Sequence, residues 1–136
     1  MTFPPQPQVF EDILSGFLRQ FTSDPDIADK LLKSGIIIRF NYTEPDCQIL
    51  VDCSGEEIGI RPGDATTEPI VQISMKAEVA HKFWFGKVNL MQALARGQMK
   101  ARGPVPRIIK LLPIIRPAYK MYPEYLRENG YEEYLL

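Results

Sequence analysis

Apolar residues recur at helical spacing near the start of the chain, where Val9, Phe10, Ile13, Leu14, Phe17, Leu18 and Phe21 fall on one stripe. That period predicts an amphipathic helix of about four turns. Its polar side carries Glu11 and Asp12 and only Arg19. It therefore reads as a helix packed on a core, because an interfacial helix would show a basic polar face. Upstream, Pro4, Pro5 and Pro7 predict a stiff, extended lead-in. Downstream, Asp24 before Pro25 predicts an N-cap with proline in the first helical position, where its missing N–H costs nothing. The short helix that follows carries Ile27, Leu31 and Leu32 and stops at Gly35.

The period then drops to two. Ile36, Ile38, Phe40 and Tyr42 alternate with Ile37, Arg39 and Asn41, which predicts a strand. After a turn at Glu44, Pro45 and Asp46, Cys47, Ile49, Val51 and Cys53 alternate with Gln48 and Asp52. A third strand sets Ile58 and Ile60 against Glu57 and Arg61 and closes at Pro62, Gly63 and Asp64. Such short turns predict an antiparallel meander with one buried face.

Past a polar loop at Thr66 and Thr67, Val71, Ile73 and Met75 alternate with Gln72 and Ser74 as a fourth strand. A helix is expected from about Lys76, with Val79, Ala80, Phe83 and Trp84 inward and Gly86 just past its end. Asn89 and Gln92 fit an N-cap with its partner three positions on, opening a helix of Leu90, Met91, Ala93 and Leu94 that ends at Gly97. Gln98 to Arg102 reads as a short basic strand, and Gly103 turns out of it. Val105, Ile108, Ile109 and Leu112 then predict a helix that Pro113, Pro117 and Pro123 bend or break.

At 136 residues the chain supports one core and is expected to form a single domain over 1–136. No window approaches the eighteen or more apolar residues of a membrane span, and the run from Ile108 to Ile115 is broken by Lys110 and Pro113. The opening residues lack a basic start with an apolar signal core, and the final YLL is not a peroxisomal SKL-type address. These features predict a soluble, cytoplasmic protein. Cys47 and Cys53 lie six apart along one extended run, too far to bridge there, and are expected to be buried reduced thiols.

The net charge of −1 conceals an asymmetry. No acid occurs between Val79 and Pro123, whereas Lys82, Lys87, Arg96, Lys100, Arg102, Arg107, Lys110, Arg116 and Lys120 all fall there. Either this segment meets an anionic partner, or its bases pair with acids of the first half across the fold.

Candidate catalytic groups are sparse. His81 is the single histidine; it has no G-x-S-x-G nucleophile to serve and is expected at the surface or half-buried on its helix. One histidine without a cysteine cluster does not make a structural zinc site. The acid pairs Glu56–Glu57 and Asp24 with Asp26 have local explanations at a strand start and a helix start. No phosphate-binding glycine loop is present, and no cofactor is implied.

The run IVQISMKAEVAHKFWFGKVNLMQALARGQMKARG resembles the sterol carrier protein (sterol-transfer) domain family. The family pattern is a strand, a short helix ending in glycine, a helix entered near Asn, an internal Ala, a Gly-flanked strand and a closing apolar helix. Gly86, Asn89, Ala93, Gly97, Met99 and Gly103 occupy those positions, and the meander and first helix also fit. The proline-broken segment LLPIIRPAYKMYPEYLREN is longer than the family's plain closing helix.

The resemblance implies an α+β fold: a five-stranded mixed, largely antiparallel sheet with helices on one face, enclosing an apolar tunnel. It also implies non-catalytic binding or transfer of a hydrophobic ligand such as a sterol, fatty acid, fatty acyl-CoA or phospholipid. Tunnel-lining candidates are Met75, Phe83, Trp84, Leu90, Met91, Leu94, Met99, Ile108, Ile109 and Leu112, with Phe85 beside them. Taken singly, each is more often plain core than tunnel lining. Lys87, Lys100, Arg102 and Arg107 are head-group candidates at the mouth, and a transient contact with an anionic membrane surface is compatible with them. Two other readings stand beside this one. In the first, an accessory subunit presents lipid or isoprenoid intermediates to partner enzymes, with the tyrosine-rich C-terminal segment (Tyr119, Tyr122, Tyr125, Tyr131, Tyr134) as its contact surface. In the second, a small enzyme acts on a lipid-like substrate through His81. Nucleic-acid binding is disfavoured, because the apolar residues between the bases read as buried stripes and not as stacking platforms.

Overall fold

The computed structural model describes residues 6–136; Pro4 and Pro5 of the expected lead-in lie outside the described residues. Pro7 does not belong to an extended lead-in. It is the first residue of α1 (Pro7–Phe21), a position that proline's fixed φ favours. The α1 stripe is buried as its spacing predicts, with Phe10, Ile13, Leu14 and Phe17 completely inaccessible.

Helix α2 (Pro25–Ser34) is capped by Asp24, whose carboxylate accepts from the amides of Asp26 and Ile27 at 2.9 and 3.2 Å. It ends on Gly35 in the left-handed region. Five strands follow the alternation read from the sequence: β1 (Ile37–Thr43), β2 (Cys47–Asp52), β3 (Gly59–Pro62), β4 (Val71–Lys76) and β5 (Met99–Arg102). They lie in the order β3-β2-β1-β4-β5, with β1 and β4 parallel and every other pair antiparallel. This is the mixed, largely antiparallel α+β sheet that the resemblance implied.

The inner face carries Ile38, Phe40, Tyr42, Ile49, Val51, Ile73, Met75 and Met99 under the helices. The outer face is polar: the side-chain amides of Gln48, Asn41 and Gln72 hydrogen-bond in series across three strands. Because β4 returns beside β1 after the β3 edge, its connection runs back over the sheet. Arg39 on the outer face holds that connection, donating to the carbonyls of Asp64 and Thr67. Leu50, which pairs with Arg39 and Arg61 in register, is completely buried. Asp64 in turn accepts from the amides of Thr66 and Thr67 and the Thr67 hydroxyl, which lowers its pKa to about 2.

Helix α3 (Ala77–Trp84) and α4 (Leu90–Ala95) flank Gly86, and Asn89 caps α4 by accepting from the Gln92 amide at 3.0 Å. Gly86 has φ 77°, and a Cβ there would press against the Tyr119 ring at 2.9 Å. Gly103 has φ 102° and is packed so closely on the Ile70 carbonyl that a Cβ would collide with it. The apolar end segment is broken as its prolines predict, into α5 (Val105–Ile109), α6 (Leu112–Ile115) and α7 (Ala118–Glu128). Pro117 precedes α7 and Pro113 sits in the first turn of α6, just past the break at Lys110 and Leu111, whereas Pro123 lies inside α7 without ending it. A short 3-10 turn, Glu132–Tyr134, closes the chain.

Candidate functional site

An apolar cavity of about 80 Å³ lies between the inner face of the sheet and the helices. Its floor is Ile38, Phe40 and Tyr42 of β1, Val51 of β2, Ile73 and Met75 of β4, and Met99 of β5. One wall comes from the end of α1 (Leu18, Phe21, Thr22) and from Leu31 of α2. The opposite wall is Ala80, Phe83 and Trp84 of α3 with Leu90 of α4, and Ile108, Leu111, Leu112 and Ile115 of the α5–α6 segment cover it. Only Thr22 and Tyr42 bring a side-chain oxygen, and the Thr22 hydroxyl donates to the Leu18 carbonyl at 2.7 Å. Such a space excludes ions and favours hydrocarbon.

The structure sorts the residues singled out in the sequence. Met75, Phe83, Trp84, Leu90, Met99, Ile108 and Leu112 converge on the cavity. Met91 and Ile109 do not: both are exposed, at 53% and 39%. Leu94 and Phe85 are half-buried and also lie off the cavity; Phe85 packs edge-on against His81 and Tyr122, with centroids at 5.0 and 5.1 Å. Helix α4 has only six residues, so apolar periodicity could not say which of Leu90 and Met91 turns inward.

A second concavity, a cleft of about 490 Å³, adjoins the cavity and shares Phe83, Leu90 and Leu112 with it. Its rim carries Lys87, Arg116, Asn89, Gln92, Met91 and Tyr119. Of the four bases expected at a mouth, Lys87 alone is here. Lys100 and Arg102 alternate with the inward Met99 and Ala101 along β5, pair with Ser74 and Gln72, and so belong to the outer face of the sheet. Arg107 donates to the Ser34 carbonyl at 2.6 Å, tying α5 to the C-terminal end of α2, where the helix dipole favours a cation. The rim cation the sequence did not single out is Arg116; its place depends on how the proline-broken α6 folds back, which no local pattern encodes.

Among the described residues, the only base of the acid-free run with an ion pair is Lys82, bound to Glu78 on its own helix at 3.1 Å. The bases therefore do not pair with acids of the first half across the fold. At the other end of the cavity, Thr22 is shared with a third concavity whose rim holds Glu56, Glu57 and Arg19.

His81 is not a surface residue. It is 1% exposed, because Ala77, Ala80, His81 and Trp84 form the inward i, i+3, i+4, i+7 stripe of α3. Nε2 lies 2.7 Å from the Tyr134 carbonyl and Nδ1 lies 2.8 Å from the Tyr122 hydroxyl. A carbonyl only accepts, so Nε2 carries the proton and Nδ1 accepts from Tyr122. Burial first of all lowers the imidazole pKa to about 4, so the ring is neutral at pH 7 and structural in its contacts. It does not line the cavity. Tyr122, Tyr125 and Tyr134 are likewise buried; those rings are core and not an exposed contact surface. Cys53 is buried and Cys47 half-buried, both free, and burial raises their thiol pKa to about 12 and about 11. No helix among the described residues is long and apolar enough to cross a membrane.

By sequence alone, no curated protein matches the chain. Solved structures do. Sterol carrier protein 2 from Yarrowia lipolytica in its apo form is 18% identical, with a TM-score of 0.62, covering 78% of this chain and 89% of that one. The sterol carrier protein domain 2 of Helicoverpa armigera is 17% identical, with a TM-score of 0.61, covering 83% and 84%. A structure described as the UbiJ-SCP2 ubiquinone synthesis protein is 12% identical, with a TM-score of 0.61, covering 87% and 95%. At these identities the likeness is one of fold. The family comparison reaches further, since residues 14–115 match the SCP-2 sterol transfer family, and the chain therefore belongs to that family.

Proposed function

We propose that this chain, acting as one domain over residues 1–136 and in the cytoplasm, binds and transfers a single-chain or sterol-like lipid without catalysing a reaction. The observation that carries this reading is the apolar cavity under α5 and α6. Ligand sites of this kind typically measure about 300–1,000 Å³, so the cavity as it stands accommodates only part of a chain. Lipid entry then requires α5 and α6 to move off the sheet. Helix α6 has no buried residue, so that movement exposes chiefly Ile108 of α5 and Leu111 beside it. Each methylene taken up contributes about 0.8 kcal/mol.

The adjoining cleft suits an anionic head group. Lys87 and Arg116 stand on its rim without a carboxylate partner within 4 Å among the described residues, whereas the concavity at the Thr22 end carries Glu56 and Glu57. The pocket residues of this reading are Met75, Phe83, Trp84, Leu90, Met99, Ile108 and Leu112, with Lys87 and Arg116 at the head. Native mass spectrometry of the purified protein, with displacement of a fluorescent fatty acid, tests it. Saturable displacement by palmitate supports the reading; absence of saturable binding by any acyl or isoprenoid lipid overturns it.

A second reading, presentation of the lipid to a partner enzyme, draws on the similarity to the ubiquinone synthesis protein. Of the tyrosine-rich segment, Tyr122, Tyr125 and Tyr134 are buried, which leaves only the half-buried Tyr119 and Tyr131 to such a contact surface. The exposed Met91, on the cationic rim beside Tyr119, is the candidate contact. A Met91→Ala variant that keeps palmitate affinity but loses transfer to a purified acceptor enzyme would favour presentation; unchanged transfer would count against it.

A further inference from the structure

From Val79 to Pro123 the chain carries no Asp or Glu, and every residue that lines the cleft beside the cavity lies within that stretch, between Phe83 and Tyr119. The cleft is therefore walled without a carboxylate. Its two cations, Lys87 and Arg116, are exposed. Neither makes an ion pair among the described residues, whereas Lys30 and Lys33 on α2 and Lys82 on α3 each bind an acid four positions away.

A further donor in the cleft is Asn89. Its side-chain oxygen is committed to the Gln92 amide at 3.0 Å, so the free end of that side chain is its NH2 group. Tyr119 is fixed in the wall by close packing: Gly86 has no Cβ, one there would lie 2.9 Å from the Tyr119 ring, and Phe83 meets the ring edge-on at 6.4 Å. At about 490 Å³ against about 80 Å³ for the cavity, the cleft offers more room than a three-atom carboxylate fills. Phe83, Leu90 and Leu112 are common to both spaces, so a chain seated in the cavity brings its head here.

Two cations on one rim repel each other in the empty protein. A carboxylate, with one charge and two oxygens, offsets one of them. A phosphate monoester has three terminal oxygens and about −1.5 to −2 charges at pH 7; it offsets both, and it takes two parallel bonds from a guanidinium. We propose that the cleft takes a doubly charged phosphate monoester, so that this chain prefers single-chain lipid phosphates to fatty acids of the same length. The inference rests on the lipid-binding reading above and names the head group that reading leaves open.

The test is a competition series. Dodecyl phosphate, dodecyl sulfate and laurate, each below its micellar range, displace a fluorescent fatty acid from the wild type, Lys87→Gln and Arg116→Gln at low salt, from pH 7.5 to 5.5. Dodecyl sulfate has the shape of the phosphate but a single fixed charge, so it cancels any effect of pH on the protein itself. In the wild type at pH 7.5 the phosphate binds about fivefold tighter than the sulfate or laurate, the size expected of one further exposed ion pair of good geometry. Its advantage over the sulfate shrinks as pH falls through about 6, where the phosphate loses its second charge. In each variant the advantage drops to about twofold or less, and an unchanged circular dichroism spectrum shows that the variant folds. Equal binding of phosphate and sulfate at pH 7.5 overturns the inference, as does an advantage that ignores pH or survives in either variant; laurate binding then still upholds the lipid reading. Loss of the advantage in millimolar inorganic phosphate, with laurate binding intact, makes the cleft a site for free phosphate and also overturns the inference. Failure of all three amphiphiles to displace the probe overturns both.

Discussion

Trp84 stands between two regions packed in different ways. On one side is a closed aromatic block: Phe17 meets Phe21 at 5.7 Å, Trp84 at 5.6 Å, Tyr122 at 4.8 Å and Tyr125 at 5.6 Å. That block continues through His81 to the Tyr134 carbonyl. On the other side Trp84 faces the cavity, whose cover is made of two short helices separated by Lys110 and Leu111. The first region is built from long elements, α1, α3 and α7, and its polar atoms are paired. The second is built from fragments, and its buried hydroxyl, that of Tyr42, has no partner among the described residues. The rings pack closely where the helices are continuous, and the open space lies where the chain is least able to form one continuous helix.

The sharpest way to break this contrast is truncation. Phe17→Ala should cost about 4 kcal/mol, since a large buried ring is lost from a block with no slack. Leu112→Ala should cost about 1 kcal/mol, because Leu112 is half-buried and already borders empty space. Urea denaturation of both variants checks this, and equal losses would mean that the cavity is no softer than the aromatic block.

Acid should attack the closed block next. The folded protein holds His81 near a pKa of about 4, below its ordinary 6.5, so between those values the unfolded chain binds the proton more readily. The stabilisation from keeping His81 neutral is complete above pH 6.5. It is lost as pH falls toward 4 and levels off below. Complete loss amounts to about 3 kcal/mol. Urea midpoints measured from pH 7.5 to 4.5 should fall in the wild type and lose most of that slope in His81→Gln. The Asp64 carboxylate, held at about 2, acts below this window.

Much of the contrast is legible in the sequence, and the exceptions are instructive. The α1 stripe, the Asp24–Pro25 cap and the strand alternation are periodic signals repeated over several residues, and the fold follows them. His81 occupied a buried stripe position all along, but its polarity outweighed its spacing; Tyr122 and Tyr134, its partners, lie some forty and fifty residues away. Lys100 and Arg102 alternate with Met99 along β5, and that alternation by itself places them on the outer face of the sheet, away from a mouth. Arg107, Arg116 and the unpaired Tyr42 hydroxyl depend on tertiary packing alone and have no local signature.

The two buried tyrosines give a comparison with opposite signs. Tyr122→Phe removes the donor to His81 Nδ1 and leaves a buried acceptor unpaired, which should destabilise by about 2 kcal/mol. Tyr42→Phe removes a hydroxyl that has no partner and should stabilise the ligand-free protein by about 1 kcal/mol. Thermal melts of lipid-stripped protein distinguish them. A loss of stability in Tyr42→Phe would mean that its hydroxyl is satisfied in the folded protein, and that the cavity side is as completely paired as the aromatic block.

The smallest effect on stability is expected at Arg107, and there the readout is kinetic. Its guanidinium reaches from α5 to the Ser34 carbonyl at the end of α2, across the side of the cavity that Leu31 and Ile108 line. Arg107→Gln should cost about 1 kcal/mol or less, since the bond is only part-buried. Loosening this tie weakens the cover more than the floor, so release of a bound fluorescent fatty acid, followed by stopped flow, should quicken several-fold. Entry should quicken with it, because opening the cover is common to both directions, so the equilibrium affinity should change less than either rate. A variant with altered affinity and unchanged release would place Arg107 at the lipid head group instead of at the cover. Unchanged rates in both directions would mean that the lipid passes elsewhere than between α5 and α2.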